Sequence, residues 1–335
     1  MKKFALLAPL AAFMLTTSSV SAADFKGSGA SFPYSVYQGW IGAYHKATGI
    51  EIDYISKGSS AGIKDAVART VDFAGSDEPL NPTKLAENKL YQFPGVVGAI
   101  TMSYNMPDTP KLNLSRAAIA GIALGKIEYW DNDVIASANK NVKLPHEKIT
   151  FVHRADGSGT TFNFTYFLSK ISTEWKDTFG VQKDLNWPGD HHIGGKGNTG
   201  VATLIKQTPY SIGYVDYADA TNNKLQMAVV ENKDGSFIKP ELKAFQAAAA
   251  NADLDPKKDF FSVISDPSGK DAYPIVAATF ILLPKENVEM NKKITAFYDW
   301  SFKNGQELAS ELGFVPLPEA LTTKINGYWT ANGIK

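Results

Sequence analysis

The chain has 335 residues and carries 34 Lys and Arg against 34 Asp and Glu, a formal net charge of zero with the histidines neutral. That balance excludes the basic excess of a nucleic-acid-binding surface. The absence of cysteine excludes disulfides, thiolate metal sites and a lipid attached at a cysteine.

Residues 1–23 read as a secretory signal peptide. Lys2 and Lys3 supply the positive start, residues 4–15 an apolar run, and Val20-Ser21-Ala22-Ala23 the small residues a signal peptidase needs. The alternative, a membrane anchor, wants about 20 apolar residues. Without Lys2 and Lys3, 32 cations face 34 acids, a net charge of −2. No second apolar run reaches spanning length, so a soluble periplasmic protein is expected. The remaining chain is longer than one core ordinarily supports, which predicts two domains.

Short apolar runs then alternate with amphipathic helices. Strands are expected over 50–56, 71–75, 96–103, 149–153, 212–215, 227–231 and 276–283. Helices are expected from Pro33 to Gly49 and over 62–70, 161–171, 201–207, 291–304 and 305–312. This alternation predicts α/β layers around mostly parallel sheets.

Three segments share one design, a loop of small residues with a hydroxyl that opens a helix. They are residues 27–33 (GSGASFP), 58–62 (GSSAG) and 154–161 (RADGSGTT). In the first, Ser31 suits the N-cap and Pro33 the first turn. A helix N-terminus presents unpaired N–H groups and the positive end of a dipole, so it attracts anions. Three such loops around one small oxyanion would surround it with donors. The plainer reading is that each hydroxyl only caps its own helix. Arg154 reads either as an anion ligand or as a surface cation paired with Asp156. Asp77 closes a strand of small residues and is a turn aspartate on local pattern alone.

Other motifs carry less. Residues 194–200 (GGKGNTG) fail as a nucleotide-binding loop, because Gly197 follows Lys196 where Ser or Thr is required. They read as a turn beside a hinge. His191 and His192 are adjacent and lack the spacing of a zinc site. A secreted phosphatase using the same pocket is the alternative function, and it needs a nucleophile with a base, or metal ligands. Of the five histidines, at 45, 146, 153, 191 and 192, only His153 adjoins the candidate site, and strand alternation turns it away from Arg154.

Taken together, residues 27–33, 58–62, 71–80 (VDFAGSDEPL), 92–94 (QFP), 154–161, 194–200 and 212–217 (IGYVDY) resemble the phosphate-binding component of bacterial phosphate ABC importers. The resemblance runs over nearly all of the chain after the signal segment. It implies a periplasmic-binding-protein-like fold of type II, with two α/β lobes joined by crossover strands. Lobe one would be 24–103 plus 276–335 and lobe two 104–275. Its ligand is inorganic phosphate, its partners are the membrane permease subunits, and it implies a monomer with no cofactor. The phosphate ligands it implies are Ser31, Phe32, Ser59 and Asp77 from one lobe and Arg154, Ser158, Gly159 and Thr160 from the other, with Asp156 holding Arg154. Ser31 stands where threonine is common in the family, and residues 58–62 carry alanine where glycine is common.

Overall fold

The computed structural model describes residues 23–335, so all of the signal-peptide reading except Ala23 lies outside the described residues. Twelve strands follow in chain order: Phe25–Gly29 (β1), Ile52–Ser56 (β2), Phe73–Ser76 (β3), Leu90–Asn105 (β4), Asn113–Leu114 (β5), Thr150–Arg154 (β6), His192–Gly195 (β7), Ser211–Asp216 (β8), Gln226–Met227 (β9), Val229–Glu231 (β10), Phe237–Ile238 (β11) and Val276–Pro284 (β12). Nine of them form one sheet in the order β2-β1-β3-β12-β4-β8-β6-β7, with β9 beside β4. β5, β10 and β11 form a separate small sheet.

The large sheet is mixed, which corrects the mostly parallel expectation. β1, β2 and β3 run parallel on one side, and β6, β7 and β8 run parallel on the other. Between them β12 and β4 pair antiparallel with each other and with their outer neighbours. Helical crossovers join the parallel strands within each side, whereas β12 comes from the C-terminal part of the chain and inserts antiparallel between β3 and β4.

β4 is 16 residues long, twice the expected run, and nearly all of it is buried. From Leu90 to Ala99 it pairs with β12. From Ile100 to Asn105 it pairs with β8. Pro94 sits in this central strand because the register shifts there, opposite Thr279 and Phe280; a bulge is where a ladder tolerates a residue without an N–H. Ile100 N–H donates to the Ile275 carbonyl at 2.8 Å, so the two long strands lie side by side where β4 changes partners.

The Tyr34–Thr48 helix buries Val36, Tyr37, Trp40 and Tyr44, one face at helical spacing, and stops at Gly49, whose φ of 78° is left-handed. Its aromatic face continues through Tyr54, Phe73, Phe297 and Tyr298, whose rings meet mostly edge to face. Gly29 ends β1 with φ of 131°, and a Cβ there would fall 2.2 Å from the Gly75 carbonyl oxygen. Only glycine permits that approach. It brings Ala30 N–H to Gly75 O at 2.8 Å and Lys57 and Gly58 N–H to Gly29 O at 2.9 and 2.8 Å. The ends of β1, β2 and β3 are therefore held together at one edge.

Gly29→Ala is expected to lower the unfolding free energy by about 2–4 kcal/mol in urea titration, from overpacking and backbone strain together. A loss below about 0.5 kcal/mol would mean that the loops separate without cost.

Candidate oxyanion site

The four helices Tyr34–Thr48, Ser59–Ala68, Gly159–Ile171 and Gly197–Gln207 begin at the C-terminal ends of strands. Their first turns, and the loops before them, touch one another. Asn198 N–H donates to Ser31 Oγ at 3.2 Å, and Asn198 Nδ2 donates to Thr160 Oγ1 at 3.2 Å. A Cβ on Gly159 would lie 2.4 Å from Ser59 Oγ and 2.6 Å from Asp77 Cβ, so Gly159 must be glycine for these segments to meet. Ser31, Phe32, Ser59, Asp77, Arg154, Ser158 and Thr160 are all buried.

The capping expectation holds for one hydroxyl of the three. Ser158 Oγ accepts the Thr161 N–H at 3.1 Å and caps its helix. The Tyr34–Thr48 and Ser59–Ala68 helices have no side-chain cap. Ser59 lies inside its helix, which starts three residues before the expected 62, because Gly58 rather than a serine occupies the N-cap position. Ser31 lies ahead of the helix, with Pro33 at the N-cap position, and its hydroxyl faces Asn198 instead. Phe32 is anchored by its ring, which meets Phe314 edge to face at 5.9 Å.

Arg154 is no surface cation. Its side chain is 1% exposed and forms two hydrogen bonds to Asp156, Nε to Oδ1 at 2.8 Å and Nη2 to Oδ2 at 2.6 Å. Such a planar fork fixes the guanidinium in orientation as well as charge. Its Nη1 lies 3.3 Å from both Thr160 Oγ1 and Asn198 Oδ1. The Arg154 backbone N–H donates to Tyr214 Oη at 3.1 Å, and Tyr214 Oη lies 2.7 Å from Thr161 Oγ1. Burial by itself would raise the Asp156 carboxyl, but the Arg154 hydrogen bonds and charge, the Gly197 N–H and Lys196 together hold it below the ordinary carboxylate range.

Asp77 is 2% exposed and is held from three sides. Thr279 Oγ1 donates to Oδ1 at 2.6 Å, Ser59 Oγ donates to Oδ2 at 3.4 Å, and the Asp77 carbonyl accepts from Asn163 Nδ2 at 2.8 Å. Burial pushes its carboxyl up to about 6, against the opposing pull of the Thr279 hydroxyl, the Arg154 charge and the Ser59 hydroxyl. The cluster therefore holds a fixed cation, a ring of hydroxyl and N–H donors, and one buried carboxylate acceptor.

Residues from both flanks of the sheet meet across the cluster. Ser60 N–H donates to the Gly157 carbonyl at 3.1 Å, and Lys183 Nζ lies 2.9 Å from Glu78 Oε2.

Three members escaped sequence reasoning. Asn198 lies in the 194–200 segment, whose helix begins at Gly197, four residues earlier than expected. Thr279 is a lone hydroxyl within an apolar strand, a pattern that signals a buried hydrogen bond. Asn163 lies one turn into a helix and reaches Asp77 only through the meeting of the two flanks. His153 turns away from the cluster, its ring against Trp187 and His192.

A family model described as the PBP superfamily domain matches residues 16–304. The phosphate-binding protein PstS of Pasteurella multocida is 44% identical over 333 residues, covering 98% of this chain and 95% of that protein. This chain belongs to the PBP superfamily, in the PstS phosphate-binding protein family. The Haemophilus influenzae member is 42% identical over 94% of this chain and 95% of its own length. Among solved structures, the periplasmic phosphate-binding protein PfluDING, bound with phosphate, aligns with a TM-score of 0.74 at 21% identity, over 91% of this chain and 93% of that one. That likeness shows the fold, which is periplasmic-binding-protein-like of type II.

In this PstS family member the raised Asp77 sets a pH dependence. A carboxyl whose folded pKa lies above its unfolded value of 3.8 favours folding while protonated. Its contribution is complete below about pH 4 and is lost as pH rises through about 6. Dialysed free of anions, the wild-type chain is expected to lose about 3 kcal/mol of unfolding free energy relative to Asp77→Asn between those pH values. Parallel pH profiles for the two proteins would show that Asp77 is not the group that titrates.

Proposed function

We propose that this protein captures inorganic phosphate in the periplasm and delivers it to the membrane permease subunits of an ABC importer. The observation that carries the reading is the buried pairing of a fixed Arg154 guanidinium with an Asp77 carboxylate in one cluster of donors. The proposed ligands are Ser31, the Phe32 N–H, Ser59, Asp77, Arg154, Ser158, the Gly159 N–H and Thr160, with Asp156 orienting Arg154. To these we add Asn198, which is hydrogen-bonded to Ser31, Thr160 and Arg154 at once.

Phosphate near neutral pH carries at least one proton, and sulfate carries none. A site of donors alone would accept either anion. Above about pH 6 Asp77 is ionised, so it accepts the phosphate proton; against sulfate it would face a bare oxygen. A buried acceptor left unpaired costs about 1–3 kcal/mol, and more when charged. Repulsion between two anions adds to that, so discrimination of about a thousandfold follows.

The two lobes of the proposal are 24–103 with 276–335, and 104–275. The change of partner along β4 at Ala99 and Ile100 supports this division. Ligand held by both lobes would favour the closed form through its differential affinity, and the permease would read that form. The proposed protein works as a monomer, without covalent chemistry.

Calorimetric titration of phosphate and then sulfate near pH 7.5 tests the reading. Tight phosphate binding without a sulfate response is expected, and equal binding of both would remove the proton-acceptor role. Asp77→Asn is expected to lose phosphate–sulfate discrimination by more than it loses phosphate affinity. Arg154→Ala should weaken every oxyanion by about a hundredfold or more, as loss of a charge-assisted pair requires, and unchanged affinity would put Arg154 outside the site.

A further inference from the structure

A second cluster lies on the side of β6 and β7 turned away from the oxyanion site. His153 Nε2 is 3.1 Å from His192 Nδ1. The parallel register accounts for it, since His192 stands opposite Phe151 and His153 opposite Gly194, which makes the two histidines diagonal neighbours on the pleated pair. His153 Nδ1 lies 2.8 Å from the Arg154 carbonyl. A carbonyl only accepts, so Nδ1 carries the proton and Nε2 presents its lone pair toward His192. Trp187 holds the ring from one side, with centroids 5.5 Å apart and planes at 31°.

We propose that His153 and His192 form a bidentate site for a divalent transition-metal ion that prefers imidazole, with Cu²⁺ bound most tightly. Three features support it. A metal-binding histidine almost always donates its other ring N–H to a carbonyl or carboxylate, and His153 already does so. At metal–nitrogen distances of about 2.0–2.1 Å, nitrogens 3.1 Å apart subtend about 95–100° at the ion. That angle fits neighbouring positions in tetragonal coordination, and to reach it both rings leave their present hydrogen bond, each nitrogen's lone pair swinging about 40° off the line that joins them. The third feature is access: a Cβ on Gly194 would lie 3.2 Å from His153 Cε1, so glycine leaves this edge of the ring open.

The charges nearby are compatible. The Asp184 carboxylate acts on His153, and burial holds the His153 ring below the ordinary histidine range, so it is neutral and able to ligate near pH 7. The Arg154 guanidinium is turned to the opposite side, committed to Asp156. His191 is 3.1 Å from Lys148 and takes no part. On binding, His192 carries its proton on Nε2 and ligates through Nδ1. No third His, Cys, Asp or Glu completes a metal cluster among the described residues, so water fills the remaining positions and the ion exchanges freely. Affinity follows the order of divalent ions for nitrogen sites, with Ni²⁺ and Zn²⁺ weaker than Cu²⁺.

The test is titration of Cu²⁺ into the chain, purified without a polyhistidine tag, in phosphate-free buffer, read by calorimetry and by electron paramagnetic resonance. One equivalent with nitrogen coupling from two imidazoles is expected. His192→Gln and His153→Gln should each weaken binding about tenfold or more, while His191→Gln and His146→Gln leave it unchanged. His192 is half-buried, as His153 is, so circular dichroism and phosphate titration of both variants separate ligand loss from misfolding. The proposal is overturned by unchanged Cu²⁺ affinity in His192→Gln, by equal losses in His191→Gln, or by no stoichiometric binding in the wild type. Phosphate titration of the same variants reads the oxyanion site separately, so failure of either reading leaves the other intact.

Discussion

A guanidinium taken out of water has to be compensated inside the protein, and here Asp156 does it through two short hydrogen bonds. Removing one partner of such a pair leaves a buried charge unmet, at a cost of about 3–5 kcal/mol. The surrounding fold is arranged around that requirement. Asp156 is itself held by the Gly197 N–H at 3.1 Å, which ties the start of the Gly197–Gln207 helix to the loop after β6. Arg154 is tied in turn to Tyr214 on β8. The cation therefore sits at a junction of three segments of one flank, and its direction is set before any anion arrives. Preorganisation of this kind spares the ligand the cost of ordering its own site.

Asp77 is the counterweight from the other flank. Its carboxyl is buried among hydroxyl donors instead of being paired directly with a base, so its pKa rises where that of Asp156 falls. Two aspartates in one cluster thus take opposite roles through environment alone. One is a permanent anion that neutralises Arg154. The other is an acceptor poised a little below neutral pH, where small changes in proton supply alter what it can bind. The difference lies in the nearest partner, a guanidinium for Asp156 and the Thr279 and Ser59 hydroxyls for Asp77.

The long strands β4 and β12 connect these two environments. β12 supplies Thr279 to Asp77 and pairs with β4 along its length. β4 then continues to β8, whose Tyr214 supports Arg154. A continuous hydrogen-bonded ladder therefore runs from the acceptor side to the cation side. The same antiparallel centre that departs from the expected parallel sheet is what brings the C-terminal ends of β1, β3 and β6 to one place.

Much of this was legible in the residues themselves. The strand and helix alternation, the three glycine and hydroxyl loops, Arg154 with Asp156 two residues on, and the family resemblance were all readable, because glycine, proline and hydroxyl residues act on the backbone within a few positions. Contacts made across hundreds of residues were not. Whether Ser31 caps its helix or faces Asn198 depends on a segment 167 residues away, and Thr279 meets Asp77 over a separation of 202. Local sequence by itself determined which segments could present donors and where the turns had to be. Only the tertiary structure decided which of them face one another, which aspartate is paired and which is left to accept, and that His153 meets His192, because burial and long-range register are properties of the packed sheet and not of any stretch of chain.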